Sequence, residues 1–148
     1  MKNFHFFDDF DFLSDGEIDL KISGKYFGDE EMLPFYYYDI FLGDRFVGRI
    51  SMRIGNNFHS YYNGNIGYEI EESFRGRNYA LKACKLVLPI AKAHGMNELF
   101  LTCDENNIPS YKTIEKLGGE LIEIAKPPKE YFAYRENMGK QRIYRLYI

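Results

Sequence analysis

The stretch from Ile66 to Gly95, IGYEIEESFRGRNYALKACKLVLPIAKAHG, constrains this chain more than any other. Its opening, IGYEIE, has the composition of a strand. From about Arg77 to His94, the residues Ala80, Ala83, Cys84, Val87, Leu88 and Ala91 recur at three- and four-residue spacing. That period predicts a helix with one apolar face. Gly95 is a fitting stop for it. ELFLTCD, residues 98–104, then reads as a second strand. A strand–helix–strand crossover implies that the two strands run parallel. In such sheets ligands sit beyond the carboxyl ends of the strands. The Arg75-Gly76-Arg77 turn lies at one of those ends, and CDENN lies at the other.

The charge of this stretch is unusual for the chain. The protein carries a net charge of −3, yet no acidic residue occurs between Glu72 and Glu98, where Arg75, Arg77, Lys82, Lys85 and Lys92 gather. A helix N-terminus exposes unpaired N–H groups and a partial positive charge, so a basic turn at that point suits a phosphate. Gly76 allows close backbone approach, and Asn78 tolerates a left-handed conformation. Plain solvation of the arginines is the alternative.

The remaining chain reads as one domain, 1–148, with no repeat and no linker. Residues 1–34 form a variable N-terminal segment. Its aromatic and acidic start reads as a packed terminus, with docking on a second subunit, a homodimer, as the alternative. PFYYYDIF and RFVGRISMRI flank Gly43-Asp44 and predict a β-hairpin. GNNFHSYYNGN reads as a loop. Asn107 and Pro109 open a second helix that Gly118-Gly119 closes. ELIEIA and QRIYRLYI are two last strands around the Pro127-Pro128 loop.

Several function classes are disfavoured. A pI near 5.6 argues against a nucleic-acid binder. No apolar run has the length of a membrane span, and the N-terminus lacks the pattern of a secretory signal. These features point to a cytoplasmic protein. Cys84 and Cys103 have neither C-x-x-C spacing nor a neighbouring histidine cluster, so neither a disulfide framework nor a metal site is expected. His5, His59 and His94 read as surface residues. The chain contains no G-x-x-x-x-G-K-[ST], no G-x-G-x-x-G after a strand and no G-x-S-x-G.

Two ordered motifs carry a family resemblance. Arg75-Gly76-Arg77-Asn78-Tyr79-Ala80 resembles the acyl-CoA signature [RQ]-x-x-G-x-[GA] of the GNAT N-acetyltransferase superfamily, with Asn78 in place of a glycine. Asn107, Ser110, Glu115, Lys116 and Gly118 resemble its second signature. The likeness covers roughly residues 35–148 and is most specific over 66–121, the implied acyl-CoA-binding core. It implies an α/β (α+β) fold: a central mixed, mostly antiparallel sheet flanked by helices, with one parallel strand pair splayed around acyl-CoA. It also implies acetyl-CoA as co-substrate and no metal. Backbone groups of Ile70 and Glu71 would pair with the pantetheine arm, and residues 75–80 would cradle the pyrophosphate. Asn107 and Ser110 would line the other side, with Lys112 reaching the phosphates and Lys82 and Lys85 as outer contacts.

The catalytic groups are less marked. Relatives often place a tyrosine just before E-K-x-G to protonate the leaving thiolate, but here that position is Ile114. Tyr111 lies one turn earlier. Glu69 and Asp104 are candidate bases. Cys103 is the one candidate nucleophile. The resemblance therefore implies direct transfer of an acetyl group to a small-molecule or peptide amine. A non-catalytic acyl-CoA sensor on the same fold is the alternative.

Overall fold

The computed structural model describes residues 4–148; the first three residues of the aromatic N-terminal segment lie outside it. Five strands, β1 (Phe12–Ser14), β2 (Asp19–Tyr26), β3 (Phe35–Leu42), β4 (Arg45–Arg53) and β5 (Ile66–Ile70), form one antiparallel sheet in chain order. A second antiparallel sheet has the order β6 (Glu98–Asp104), β8 (Gln141–Tyr147), β7 (Glu120–Ala125). Three helices connect these strands: α1 (Phe58–Asn63), α2 (Tyr79–Ala93) and α3 (Ile108–Leu117).

The β3–β4 hairpin turns at Gly43, whose φ of 64° is a left-handed value that glycine adopts without strain. Along β3 the alternation of a half-buried sheet is clear. Tyr36, Tyr38 and Ile40 are fully buried, while Phe35, Tyr37 and Asp39 are half-buried. The buried face joins the apolar face of α2, where Ala83, Cys84, Val87, Ile90 and Ala91 are inaccessible. Each large side chain withdrawn from water there contributes about 1.5–3 kcal/mol.

β5 and β6, the strands expected to splay, share no ladder and belong to different sheets. One residue links them. Fully buried Asn65 donates its N–H to the Phe100 carbonyl at 2.6 Å and accepts the Phe100 N–H on its side chain at 2.8 Å. Its side-chain amide also donates to the carbonyls of Arg53 and Gly55. The two sheets are thus tied at the start of β5 and separate beyond it.

Three features differ from the sequence reading. Residues 57–63 are not a loop: Asn57 and Ser60 form a reciprocal capping box that starts α1. β1 and β2 extend the sheet into residues 1–34, where the sequence reading places no strand. The histidines are not all on the surface. His94 is half-buried, stacked against Phe4 and Phe7, with its Nε2 2.7 Å from the Tyr36 hydroxyl. His59, also half-buried, accepts the Phe132 N–H. Among the described residues no helix is long and apolar enough to cross a membrane.

Candidate functional site

A cleft of about 820 Å³ opens where β5 and β6 part. One wall is the outer edge of β5. The phase of the β4–β5 ladder shows which of its groups are free. The Arg53 N–H donates to the Asn65 carbonyl and the Glu71 N–H to the Val47 carbonyl, so Gly67 and Glu69 between them turn their peptide groups toward β4. Ile66, Tyr68 and Ile70 therefore present theirs to the cleft. Glu71, expected to offer its backbone to a ligand, is committed to the sheet instead. The Ile70 carbonyl does face the cleft, and there it accepts the Arg75 Nε at 2.9 Å.

The basic turn closes one end. Gly76 has a φ of 80°, and a side chain placed on it would meet nothing within 4 Å, so the backbone here is bare. Asn78 has φ 64° and ψ 21°, the one non-glycine residue with positive φ among the described residues. It is the N-cap of α2, yet its side chain makes no capping bond. Instead it sits 3.5 Å from the Lys116 ammonium. The first N–H groups of α2 are thus left without a side-chain acceptor, as an incoming phosphate requires. Holding asparagine in this region costs about 1 kcal/mol.

The opposite wall comes from β6 and α3. Asn107 caps α3 by accepting the Ser110 N–H. Ser110 then meets Tyr68 across the cleft, oxygen to oxygen at 2.9 Å. Burial pushes the Tyr68 hydroxyl above its ordinary pKa, so it stays protonated at neutral pH. Cys103, buried on β6 beside Ser110, is a free thiol whose pKa burial also raises.

Most of the residues singled out from sequence converge here. Glu69, Ile70, Arg75, Gly76, Asn78, Tyr79, Ala80, Asn107, Ser110 and Lys112 all line the cleft. Glu69 is the only carboxylate among the lining residues. Four do not line it: Glu71, Arg77, Asp104 and Tyr111. Asp104 accepts the Asn106 N–H in a local turn, and the Tyr111 ring lies under the Arg142 guanidinium at 4.0 Å. Lys82 is paired with Glu17, and both it and Lys85 lie outside the lining. Ile114 is a core residue. Tyr68, Arg53 and Lys116 line the cleft without having been expected there. Tyr68 has no local signal, since its partner is 42 residues away in sequence.

A basic, bare-backboned turn beside an open strand edge suits a phosphate-bearing ligand. A model of the acetyltransferase (GNAT) domain matches residues 11–120, and the chain belongs to that family. The fold agrees with solved acetyltransferases. The microcin self immunity acetyltransferase MccE, solved with acetyl-CoA and AMP, is 20% identical with a TM-score of 0.59, covering 77% of this chain and 61% of that one. A Salmonella typhimurium acetyl transferase that modifies the N-terminal serine of a ribosomal subunit protein is 20% identical with a TM-score of 0.60, covering 77% and 64%. A Bacillus anthracis GNAT acetyltransferase is 21% identical with a TM-score of 0.59, covering 75% and 65%. The chain thus spans less than two thirds of each of these structures. Comparison with curated proteins finds no match.

Proposed function

We propose that this chain is an acetyl-CoA-dependent N-acetyltransferase acting on a primary amine by direct transfer. The observation that carries the proposal is the continuity of the cleft, from the bare start of α2, along the free edge of β5, to the Tyr68–Ser110 pair. The pyrophosphate is held by the backbone of residues 76–80, with Arg75, Lys112 and Lys116 adding charge. The pantetheine arm pairs with the outward peptide groups of Tyr68 and Ile70, and Arg75 releases the Ile70 carbonyl as it does so.

The thioester then lies beside Tyr68 and Ser110. The amine nitrogen bonds to the carbonyl carbon and the carbon–sulfur bond breaks. The departing thiolate takes a proton from the Ser110 hydroxyl as the Tyr68 hydroxyl passes its own to Ser110, and the Tyr68 oxygen is then reprotonated through water by the proton the amine gives up. That surplus proton of the amine passes first to Glu69, directly or through water. Cys103 takes no covalent part, because a thiol whose pKa is raised is a poor nucleophile at neutral pH. Holding both reactants in one cleft supplies much of the rate.

Incubation with acetyl-CoA and a panel of primary amines, read by mass, tests this. The expected result is an acetylated amine with one CoA thiol released per product. Acetyl-CoA binding with no product from any amine would identify a binding module instead.

A further inference from the structure

The far end of the cleft says what kind of amine enters. If the phosphates sit at residues 76–80, the arm runs back along β5 from Ile70 toward Ile66, about 13 Å at the rise of a strand. The acceptor approaches from that far end, which Arg53, Asn63, Gly67 and Thr102 line. Arg53 stands on β4, on the same face as Ser51, whose cross-strand partner is Gly67. Gly67 and Glu69 share that face, so the arginine and the candidate base address the same side of the cleft.

Among the described residues Arg53 is a cation without a counter-ion. It is not exposed, and it takes part in none of the ion pairs among the described residues. Its one side-chain hydrogen bond runs from Nη1 to the Gly64 carbonyl at 3.0 Å. Nη2 lies 3.0 Å from where a Cβ on Gly67 would stand, so the guanidinium occupies room that only glycine leaves. Glu31, which lines an adjoining hollow together with Arg53, faces His59 at 4.0 Å and forms no ion pair with the arginine. Burial lowers the Arg53 pKa, opposed only by the nearby Tyr131 hydroxyl. A guanidinium has five donors in a planar fork, and most of those of Arg53 have no protein acceptor among the described residues. Arg53 is only partly buried, and none of its nitrogens is both fully buried and unbonded, so its free donors open to the cleft, where an anion can meet them.

We propose that Arg53 reads an oxyanion on the acceptor, so that the amine acetylated here carries a carboxylate or phosphate close to its nucleophilic nitrogen. This rests on the acetyltransferase reading above. It also disfavours polycationic amines, whatever the acidity of the outer surface.

The test uses matched amines: glycine against glycinamide, and O-phosphoethanolamine against ethanolamine. The wild type should favour the anionic member of at least one pair by about 10- to 100-fold in kcat/KM, the range of one charge-assisted hydrogen bond. The pair with the larger ratio separates carboxylate from phosphate. Arg53→Gln should bring both ratios to within about twofold of unity, while Arg53→Lys keeps part of the preference, and both should bind CoA like wild type. A wild type indifferent to the anion, or a glutamine variant that slows both members of each pair equally, would overturn the proposal. If no amine is acetylated although acetyl-CoA binds, the acetyltransferase reading fails separately. Saturation-transfer NMR of the CoA-loaded protein with the same four amines then decides the role of Arg53. Anionic members binding at least tenfold tighter to wild type than to Arg53→Gln supports it; equal binding, or none, overturns it.

Discussion

The Tyr68 hydroxyl and the Ser110 Oγ lie 2.9 Å apart and join β5 to α3 across the cleft. If this pair protonates the leaving thiolate, Tyr68→Phe and Ser110→Ala should each lower kcat by about 100-fold or more. CoA affinity should change only a few-fold. The double variant should be little worse than the poorer single one, because groups acting as a unit are not additive. Steady-state kinetics of the three variants checks this; independent, multiplying losses would show that the hydroxyls act separately.

Asn78 holds a glycine-like conformation without capping α2. Asn78→Gly should therefore keep CoA affinity within a few-fold and leave the protein at least as stable. Asn78→Val should weaken CoA binding by about tenfold, or 1.4 kcal/mol, since a β-branched side chain resists positive φ and crowds the turn. Titration of both variants, after circular dichroism confirms folding, gives the comparison. Equal affinities would place this residue away from the ligand.

The two arginines of the turn should part company. Arg75 lines the cleft and reaches the Ile70 carbonyl, whereas Arg77 does not line it. Arg75→Ala should weaken CoA binding by about 1.5–3 kcal/mol, the range for a hydrogen bond to a charged group, and less in high salt. Arg77→Ala should stay within about twofold of wild type. Calorimetry at two salt concentrations distinguishes them, and a larger loss at Arg77 would contradict the placement of the phosphates.

His94 makes stability depend on pH. Burial lowers its pKa from the ordinary 6.5, so the folded protein keeps it neutral where the unfolded chain would protonate it. Its contribution is complete above about pH 6.5 and is lost as the pH falls toward the depressed folded value. Melting temperature should therefore drop between pH 7 and 5, and less steeply in His94→Gln. The same slope in both proteins would assign the effect to other groups.

Much of the fold is legible in the sequence because its signals are local. Gly43, Gly95 and Gly118 all have positive φ, and each marks a turn or helix end that composition alone announces. The 3.6-residue pattern from Ala80 to Ala91 is long enough to define α2. α1 is hidden because six aromatic and polar residues are too few to show a period, and its capping box pairs asparagine with serine, not with glutamate or glutamine. The same limit applies to the site. The basic turn at residues 75–80 is a continuous motif, so its residues are readable in place. The ladder phase that turns the Glu71 N–H away and Tyr68 outward depends on the register with β4, and the partner of Tyr68 arrives from a distant element.

Titration of the whole chain with acetyl-CoA by calorimetry, paired with a melting curve, is the most direct test that this cleft is an acetyl-CoA site. One site per chain is predicted, and ligand at about 100 times its dissociation constant should add roughly 2.7 kcal/mol of stability. No heat and no melting shift at millimolar acetyl-CoA would contradict it.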